Sequence, residues 1–268
     1  KGKKIVYYAH STQEDFKNSF CGSNLAAPLF RRWIVHCYNK GDVIITPTEY
    51  AKKLLQGYGI KKEIYPLSNG IDLAYFESSP ALRSQFREKY GFREEDKVIL
   101  SVGHYINRKG IVDFVELAKK MPQYQFIWFG HTPLSAVPKE VRTAVTTDLP
   151  NLHFPGFASQ EELKAAYSGC DLFLFLTHEE TEGIVLLEAL AMRLQVLIRD
   201  IPIYENWFLD GKNAYKAGTL SEFETKIEKI LTGKLPATTE AGYETVKERD
   251  IKAIGQQLIE IYNQLCPS

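Results

Sequence analysis

The sequence DLFLFLTHEETEGIVLLEALA at residues 171–191 decides the fold of this chain. Its first part, 171–177, is mostly apolar and predicts a buried strand. A polar loop follows, and after Gly183 a helix begins that is apolar on nearly every side. Glu180 and Glu188 lie eight residues apart on either side of that glycine.

The loop after this strand is a predicted ligand site. Open parallel sheets bind ligands at the carboxyl ends of their strands, and the N–H groups at the start of a helix bind anions. Two carboxylates beside a phosphate site suit a ligand that is both hydroxylated and phosphorylated, and a nucleotide sugar is the simplest such molecule. The alternative is that Glu180 and Glu188 are solvated charges near a helix start. Glu188 fits this alternative less well, because it lies in an apolar run where an unpaired carboxylate is costly, so it is predicted to have a partner such as ligand hydroxyls.

The rest of the chain alternates predicted strands with helical stretches. The strands are predicted at 4–11, 42–47, 63–67, 97–103, 125–130, 151–155, 171–177, 195–200 and 213–217. This alternation predicts an α/β protein with a doubly wound parallel sheet. Ser, Pro and charged residues at 76–95 predict a linker, which separates an amino-terminal domain at 1–75 from a second domain at 96–245 and a last helix within 246–268.

The stretch GHYINRKG at 103–110 follows the first strand of the second domain. Neither G-x-G-x-x-G nor G-x-x-x-x-G-K-[ST] fits it, so dehydrogenases and P-loop proteins lose their main sequence sign. Arg108 and Lys109 are adjacent cations at a helix start, where the helix dipole disfavours positive charge. A bound diphosphate would explain them; charges that solvate a helix face are the alternative.

Charge and cysteine content narrow the class of protein further. The net charge is zero, but residues 1–75 contain 11 Lys and Arg against 6 Asp and Glu, so this part is predicted to face something anionic. Cys21, Cys37, Cys170 and Cys266 form no C-x-x-C pair or metal-ligand cluster, which favours a reducing cytoplasm. No stretch is long and apolar enough to span a bilayer.

The Glu180-x7-Glu188 motif within EETEGIVLLEALA resembles the E-x7-E signature of the family 4 retaining glycosyltransferases, which have the two-domain GT-B fold. The sequence SNGID at 68–72 resembles the turn between their two domains. The resemblance implies that Glu180 faces the donor sugar, that Glu188 holds the ribose, and that Gly183 with Ile184 meets the diphosphate.

The same resemblance implies roles for five more residues. Gly103, Arg108 and Lys109 correspond to a turn with a basic pair that neutralises the leaving nucleotide. His10, at the end of the first strand, resembles the family's histidine that reaches the reaction centre; a structural histidine is the alternative. Phe157 lies beside a turn that resembles the family's base-binding turn; the alternative is a core phenylalanine.

A closer likeness extends over almost the whole chain, and the stretches that carry it are HSTQEDFKNSFCGSNLAAPLF at 10–30, IITPTEY at 44–50, EETEGIVLLEALA at 179–191 and RDIPIY at 199–204. In these the chain resembles bacterial glycosyltransferases that add a second sugar to monoglucosyl-diacylglycerol. This implies a retaining hexosyltransferase that moves galactose or glucose from a UDP-sugar to a membrane glycolipid, with no metal ion or other cofactor. The implied partners are the nucleotide-sugar donor, the glycolipid acceptor and an anionic membrane surface, with no nucleic acid. Arg31, Arg32 and Trp33 on one helix fit such a surface, although their charges could simply solvate that helix. The expected location is the cytoplasm, peripheral on the inner face of the membrane.

The length before the SNGID turn departs from the family. A complete GT-B amino-terminal domain runs for well over a hundred residues before this turn, whereas 67 residues precede Ser68 here. We therefore expect one complete Rossmann-like domain beside an incomplete amino-terminal one, to which the last helix returns. Two alternatives stay open: a truncated, non-catalytic nucleotide-sugar binding fragment, and a family 4 transferase that acts on a different glycan acceptor.

Overall fold

A computed structural model describes residues 3–17, 19–20 and 22–266, so Cys21 lies outside the described residues. The strands are β1 Val6–Tyr8, β2 Val43–Thr46, β3 Glu63–Pro66, β4 Val98–Val102, β5 Gln125–Phe129, β6 Leu152–Gly156, β7 Leu172–Phe175, β8 Val196–Arg199 and β9 Tyr215–Ala217. The helices are α1 Gln13–Phe16, α2 Ser23–Tyr38, α3 Glu49–Gly57, α4 Pro80–Tyr90, α5 Ile111–Lys120, α6 Lys139–Val145, α7 Gln160–Gly169, α8 Ile184–Ala191, α9 Leu220–Leu231, α10 Thr239–Lys247 and α11 Ile251–Leu265.

Six of the strands form one parallel sheet in the order β6-β5-β4-β7-β8-β9. In this order the chain first builds outward from β4 to β6, then returns to the middle and builds the other half from β7 to β9. That is the doubly wound, Rossmann-like arrangement, in which a crevice opens between the two central strands, β4 and β7. The predicted parallel α/β fold is confirmed.

Both faces of this sheet are covered, which explains why its central strands β4 and β7 are buried along their whole length and almost entirely apolar. Side chains alternate between the faces along each strand, so that Leu100 and Phe173 enter one core with α4, α7, α8 and α10. Ile99 and Leu174 enter the other core with α5, α6 and α9. Each fully buried Leu, Ile or Phe side chain stabilises the fold by roughly 1.5–3 kcal/mol.

The amino-terminal part contains a parallel sheet of three strands in the order β1-β2-β3. One face packs on α2 and α3 through Ile44 and Leu55. The other face contacts the last helix, because Ile45 and Leu67 pack against Ile254 and Ile261 of α11. The carboxyl terminus of the described chain therefore packs on the amino-terminal sheet.

The stretch 76–95 contains α4, which begins after the N-cap Ser79. Its Phe86 enters the core of the six-stranded sheet, and its buried Arg87 donates hydrogen bonds to the backbone oxygen of Gly169 and to Asp171. This helix thus packs as part of the second sheet's helical layer. The domain boundaries proposed from the sequence stay a prediction.

Among the residues that the structure describes, no helix is both long and apolar enough to cross a membrane. Cys37, Cys170 and Cys266 are free thiols.

Candidate active site

A cavity of about 490 Å³ lies at the crevice between β4 and β7, at the carboxyl ends of both strands. Its lining brings together most of the residues that the sequence singled out, namely His10, Gly103, Lys109, Phe157, Glu180, Gly183 and Ile184. We call it the donor cavity. Arg108 and Glu188 are not among the residues that line it.

The start of α8 forms one wall of the donor cavity. Gly183 has a φ of 88°, and a Cβ atom there would lie 2.5 Å from the hydroxyl oxygen of Tyr204, so this position requires glycine. Within α8 the first backbone bond is donated by Leu186 to the oxygen of Gly183. The N–H groups of Ile184 and Val185 precede that bond, and both residues line the cavity. A helix start of this kind binds anions.

Glu180 lines the same cavity, and two cations contact its carboxylate. Lys109 donates a hydrogen bond from Nζ to Glu180 Oε2, and Arg108 Nη1 lies 3.6 Å from the same oxygen. The side chains of all three residues are at most 14% exposed. The predicted basic pair thus contacts the predicted sugar-binding carboxylate, and of the two cations Lys109 lines the donor cavity.

Arg108 lies behind this cluster and connects it to the amino-terminal part. Its Nη1 donates to the backbone oxygen of Glu179 at 2.7 Å and lies 3.3 Å from Asp15 Oδ1 on α1. The guanidinium therefore joins α1 to the loop that carries Glu180. In this structure Arg108 contacts that loop, whereas Lys109 reaches into the donor cavity.

Glu188 is buried in α8, one turn after the cavity-lining Val185. Its predicted partner is present, but it is a protein group: the hydroxyl of Tyr167 donates to Glu188 Oε2 at 2.7 Å. Burial raises the pKa of Glu188, and the hydrogen bond from Tyr167 opposes that rise. The prediction that ligand hydroxyls also bind this carboxylate stays a prediction.

This raised pKa predicts that Glu188→Gln stabilises the ligand-free chain at neutral pH. Ionisation of Glu188 costs free energy only in the folded state, so the penalty is absent below the ordinary pKa of 4.5, grows above it, and is complete above the raised folded-state value. At about pH 4 the variant and the wild type should have the same midpoint of thermal unfolding. At about pH 7 the midpoint of the variant should be higher, by roughly 2–4 °C for each kcal/mol of free energy gained. Thermal unfolding of both proteins at both pH values measures this effect, and Glu260→Gln at an exposed position is the control. The same difference in midpoint at both pH values, or an equal pH-dependent rise in Glu260→Gln, would contradict the prediction.

His10 and Phe157 reach the donor cavity from opposite sides. His10 follows β1, is exposed, and stacks on Tyr8 with 6.2 Å between ring centroids. Phe157 is 82% exposed at the cavity, so the alternative that it belongs to the core is wrong. A flat ligand group could stack on it.

Two carboxylates at this site were missed by the sequence reasoning. Glu182 is 2% exposed and accepts hydrogen bonds from the hydroxyl of Ser68 and from both nitrogens of Asn69, in the SNGID turn. Asp15 lies beside Arg108. Neither has a sequence signal of its own, since Glu182 is one of several acids in the loop and Asp15 stands in the first turn of a short helix.

In the described part of the chain, 3–17, 19–20 and 22–266, no group of three or more His, Cys, Asp or Glu side chains is arranged to hold a metal ion.

Comparison with known families accounts for this arrangement. The family described as "Glycosyl transferases group 1" matches residues 83–248, and "Glycosyltransferase Family 4" matches residues 1–75. The chain belongs to the group 1 glycosyltransferases. A processive diacylglycerol alpha-glucosyltransferase of Acholeplasma laidlawii is 37% identical over 97% of this glycosyltransferase and 79% of the relative. An alpha-galactosylglucosyldiacylglycerol synthase of Streptococcus pneumoniae is 26% identical over 81% of the chain, which spans 59% of that relative.

Solved structures show the same GT-B fold. HepE of Anabaena in complex with UDP-glucose superposes with a TM-score of 0.84 at 19% identity, over 98% of this glycosyltransferase and 72% of HepE. Sucrose-phosphate synthase of Thermosynechococcus elongatus gives a TM-score of 0.79 at 18% identity, over 97% and 67% of the two chains. The likeness extends over both sheets.

Proposed function

We propose that this chain is a retaining hexosyltransferase that moves galactose or glucose from a UDP-sugar to a membrane glycolipid such as glucosyl-diacylglycerol. One observation carries the proposal: Glu180, Lys109 and the start of α8 line a single cavity at the switch point of the sheet, and His10 enters it from the other sheet. The names of the two relatives, both of which act on diacylglycerol lipids, support the choice of acceptor.

Each side chain has a role in this proposal. The diphosphate rests on the N–H groups of Ile184 and Val185 and beside Lys109, and Glu180 accepts hydrogen bonds from the hexose hydroxyls. The ribose binds Glu188 through Oε1, since Oε2 is held by Tyr167. The uracil base stacks near Phe157.

The reaction exchanges one glycosidic bond for another. The bond from the anomeric carbon to the UDP oxygen breaks, its electron pair leaves with UDP, and the acceptor oxygen forms the new bond on the same face of the sugar. The acceptor hydroxyl gives its proton to the departing diphosphate. Negative charge grows on UDP in the transition state, where Lys109 and the helix N–H groups stabilise it, and Arg108 adds a positive charge behind Glu180. We infer that no metal ion is needed for this step.

Calorimetric titration with UDP-glucose, UDP-galactose and UDP tests the donor site. We expect binding, and we expect Glu188→Ala to weaken it roughly 10-fold to 100-fold, the effect of one hydrogen bond to a charged group. Arg108→Ala should also weaken binding, because Arg108 holds the loop that carries Glu180. The exposed Arg142→Ala on α6 is the matched control. EDTA should leave the affinity unchanged.

Four outcomes distinguish the alternatives. A folded chain that binds none of the three ligands would show that the donor assignment is wrong. Binding without UDP release in the presence of vesicles that contain monoglucosyl-diacylglycerol would favour the nucleotide-sugar binding fragment. UDP release only with another glycan would favour the different acceptor, and loss of affinity in EDTA would show a metal requirement.

We also infer that α2 rests on an anionic membrane surface. Leu25, Leu29 and Trp33 recur at helical spacing on one exposed face and are 88%, 66% and 61% exposed, and Arg32 lies exposed on the same face. An apolar stripe beside a cation is typical of interfacial helices. Arg31, by contrast, packs over the ring of Tyr58 and is not available to lipid.

Sedimentation with vesicles tests this surface. We expect Leu29→Glu to reduce pelleting with vesicles that contain phosphatidylglycerol, because it places a negative charge in the apolar stripe. Leu209→Glu is the matched control, since Leu209 is also exposed, at 52%, but lies elsewhere in the chain. Equal pelleting of both variants and the wild type, or no preference over phosphatidylcholine vesicles, would contradict the proposal.

A further inference from the structure

A second cavity, of about 250 Å³, adjoins the donor cavity on the side of the amino-terminal sheet. The two cavities share His10, His104, Glu180 and Thr181. A molecule in the second cavity therefore lies next to Glu180, and so next to the hexose that Glu180 is proposed to bind in the donor cavity. Its volume has room for a single sugar ring. We call it the acceptor cavity.

The inner end of the acceptor cavity is polar and built around Asp15. Thr12 donates from Oγ1 to Asp15 Oδ2 at 3.0 Å, and Arg108 Nη1 lies 3.3 Å from Oδ1. The same Nη1 lies 3.6 Å from Glu180 Oε2. One guanidinium thus fixes a carboxylate on each side of the boundary between the two cavities. Burial raises the pKa of Asp15, and Arg108 opposes that rise, so further hydroxyl donors would stabilise this carboxylate.

The outer end is aromatic. Phe16 stacks on Phe30 with 4.5 Å between ring centroids, and Phe30 stacks on Trp33 at 5.9 Å. Phe16 and Phe30 line the acceptor cavity, whereas Trp33 belongs to the exposed face of α2. The rings of Phe16, Phe30 and Trp33 therefore form a continuous row from the acceptor cavity to the exposed face of α2.

We propose that the acceptor cavity holds the sugar headgroup of the acceptor, and that Asp15 selects a glycosylated lipid over diacylglycerol itself. This inference rests on the proposed transferase function and names its acceptor site. A hexose offers several hydroxyls to the carboxylates and a C–H face to the ring of Phe16. Diacylglycerol offers one hydroxyl, which would leave the polar end of the cavity poorly satisfied. The lipid tail then follows the row of rings toward the membrane.

Binding of methyl α-glucoside to the UDP-saturated chain tests the site without requiring turnover. Ligand-observed NMR should show saturation transfer to the sugar with the wild type. Asp15→Asn should lower its affinity about tenfold or more, since a carboxylate acceptor is lost, and Phe16→Leu should lower it without changing UDP affinity. Glu14→Gln is the matched control, because Glu14 lies on the same helix but is not among the residues that line this cavity.

Turnover gives the specificity. With mixed vesicles, kcat/KM for monoglucosyl-diacylglycerol should exceed that for diacylglycerol, and Asp15→Asn should shrink this ratio mainly through the KM of the glycolipid. Equal kcat/KM values for the two lipids with the wild type, or no saturation transfer to the glucoside while UDP binds, would overturn the inference and leave the donor site standing. Failure of UDP itself to bind would overturn the proposed function and this inference with it.

Discussion

Replacing Lys109 by alanine is expected to lower kcat about 10²-fold to 10³-fold, with a smaller change in the KM of the UDP-sugar. Lys109 is the cation of the basic pair that lines the donor cavity, and its side chain is 14% exposed. A fixed donor that meets growing charge in a water-poor site contributes most in the transition state, and removal of one such donor typically costs this much. Initial rates of UDP release, measured over a range of donor concentrations, separate kcat from KM.

The control lies on the neighbouring helix. Lys119 on α5 is paired with Glu116 at the surface, so Lys119→Ala removes the same charge from the chain without touching the cavity and should keep wild-type rates. Lys109→Arg should recover part of the lost kcat because it retains the charge. If Lys109→Ala changed only KM, Lys109 would bind the donor equally in ground and transition states, and its proposed role at the leaving group would be wrong.

The positions of the strands were largely predictable because they depend on local pattern. Every predicted strand is present within about three residues at either end, since buried parallel strands such as β4 and β7 are largely apolar and polar residues mark where they stop. The alternation of strands and helices then restricts the second domain to a doubly wound sheet. The position of the loop 177–183 at the carboxyl end of β7 follows from that arrangement.

The stretch 76–95, predicted as a linker from its composition, contains the helix α4. Ser79 accepts a hydrogen bond from the N–H of Leu82, and Pro80 occupies the first turn of this helix. Gly91 ends the helix with a φ of 71°. Serine before a helix, proline at its first position and glycine after its end are the ordinary signals of helix limits, so the sequence did contain this helix.

Contacts between distant side chains could not be predicted. Tyr167 is 21 residues from Glu188 in sequence, and no periodic pattern relates them; only the packing of α7 against α8 brings the phenol to the carboxylate. The same holds for the ion pair of Asp15 with Arg108 and for the hydrogen bonds of Glu182 with Ser68 and Asn69. A sequence pattern predicts that a buried carboxylate needs a partner, but the identity of the partner depends on the tertiary structure.

Glu182 gives the largest expected effect on stability. It is 2% exposed and receives three hydrogen bonds from Ser68 and Asn69. Its loop is held to the amino-terminal part twice more, because Thr48 donates to the backbone oxygen of Thr181 at 2.9 Å and Tyr50 donates to Glu179 Oε1 at 2.9 Å. The loop that carries Glu180 is thus anchored by residues from outside the six-stranded sheet.

We therefore expect Glu182→Ala to lower the free energy of unfolding by about 2–4 kcal/mol, since three part-buried donors lose a charged acceptor, and one hydrogen bond to a charged group contributes about 1.5–3 kcal/mol. The midpoint of thermal unfolding should fall by roughly 4–16 °C. Glu182→Gln should be intermediate, because its amide oxygen still accepts. Glu179→Ala, which removes a carboxylate with a single hydrogen bond from Tyr50, should have a smaller effect.

A double-mutant cycle with Asn69→Ala separates this pair from general loss of packing. Because the two residues share their hydrogen bonds, their effects on the free energy of unfolding should fall short of additivity by about 0.5–3 kcal/mol. Additive effects would show that Glu182 stabilises the fold by some other contact. If the cycle shows coupling, the affinity for UDP-glucose should fall in Glu182→Ala as well, because the anchored loop places Glu180 and Gly183 on either side of Glu182, and both line the donor cavity.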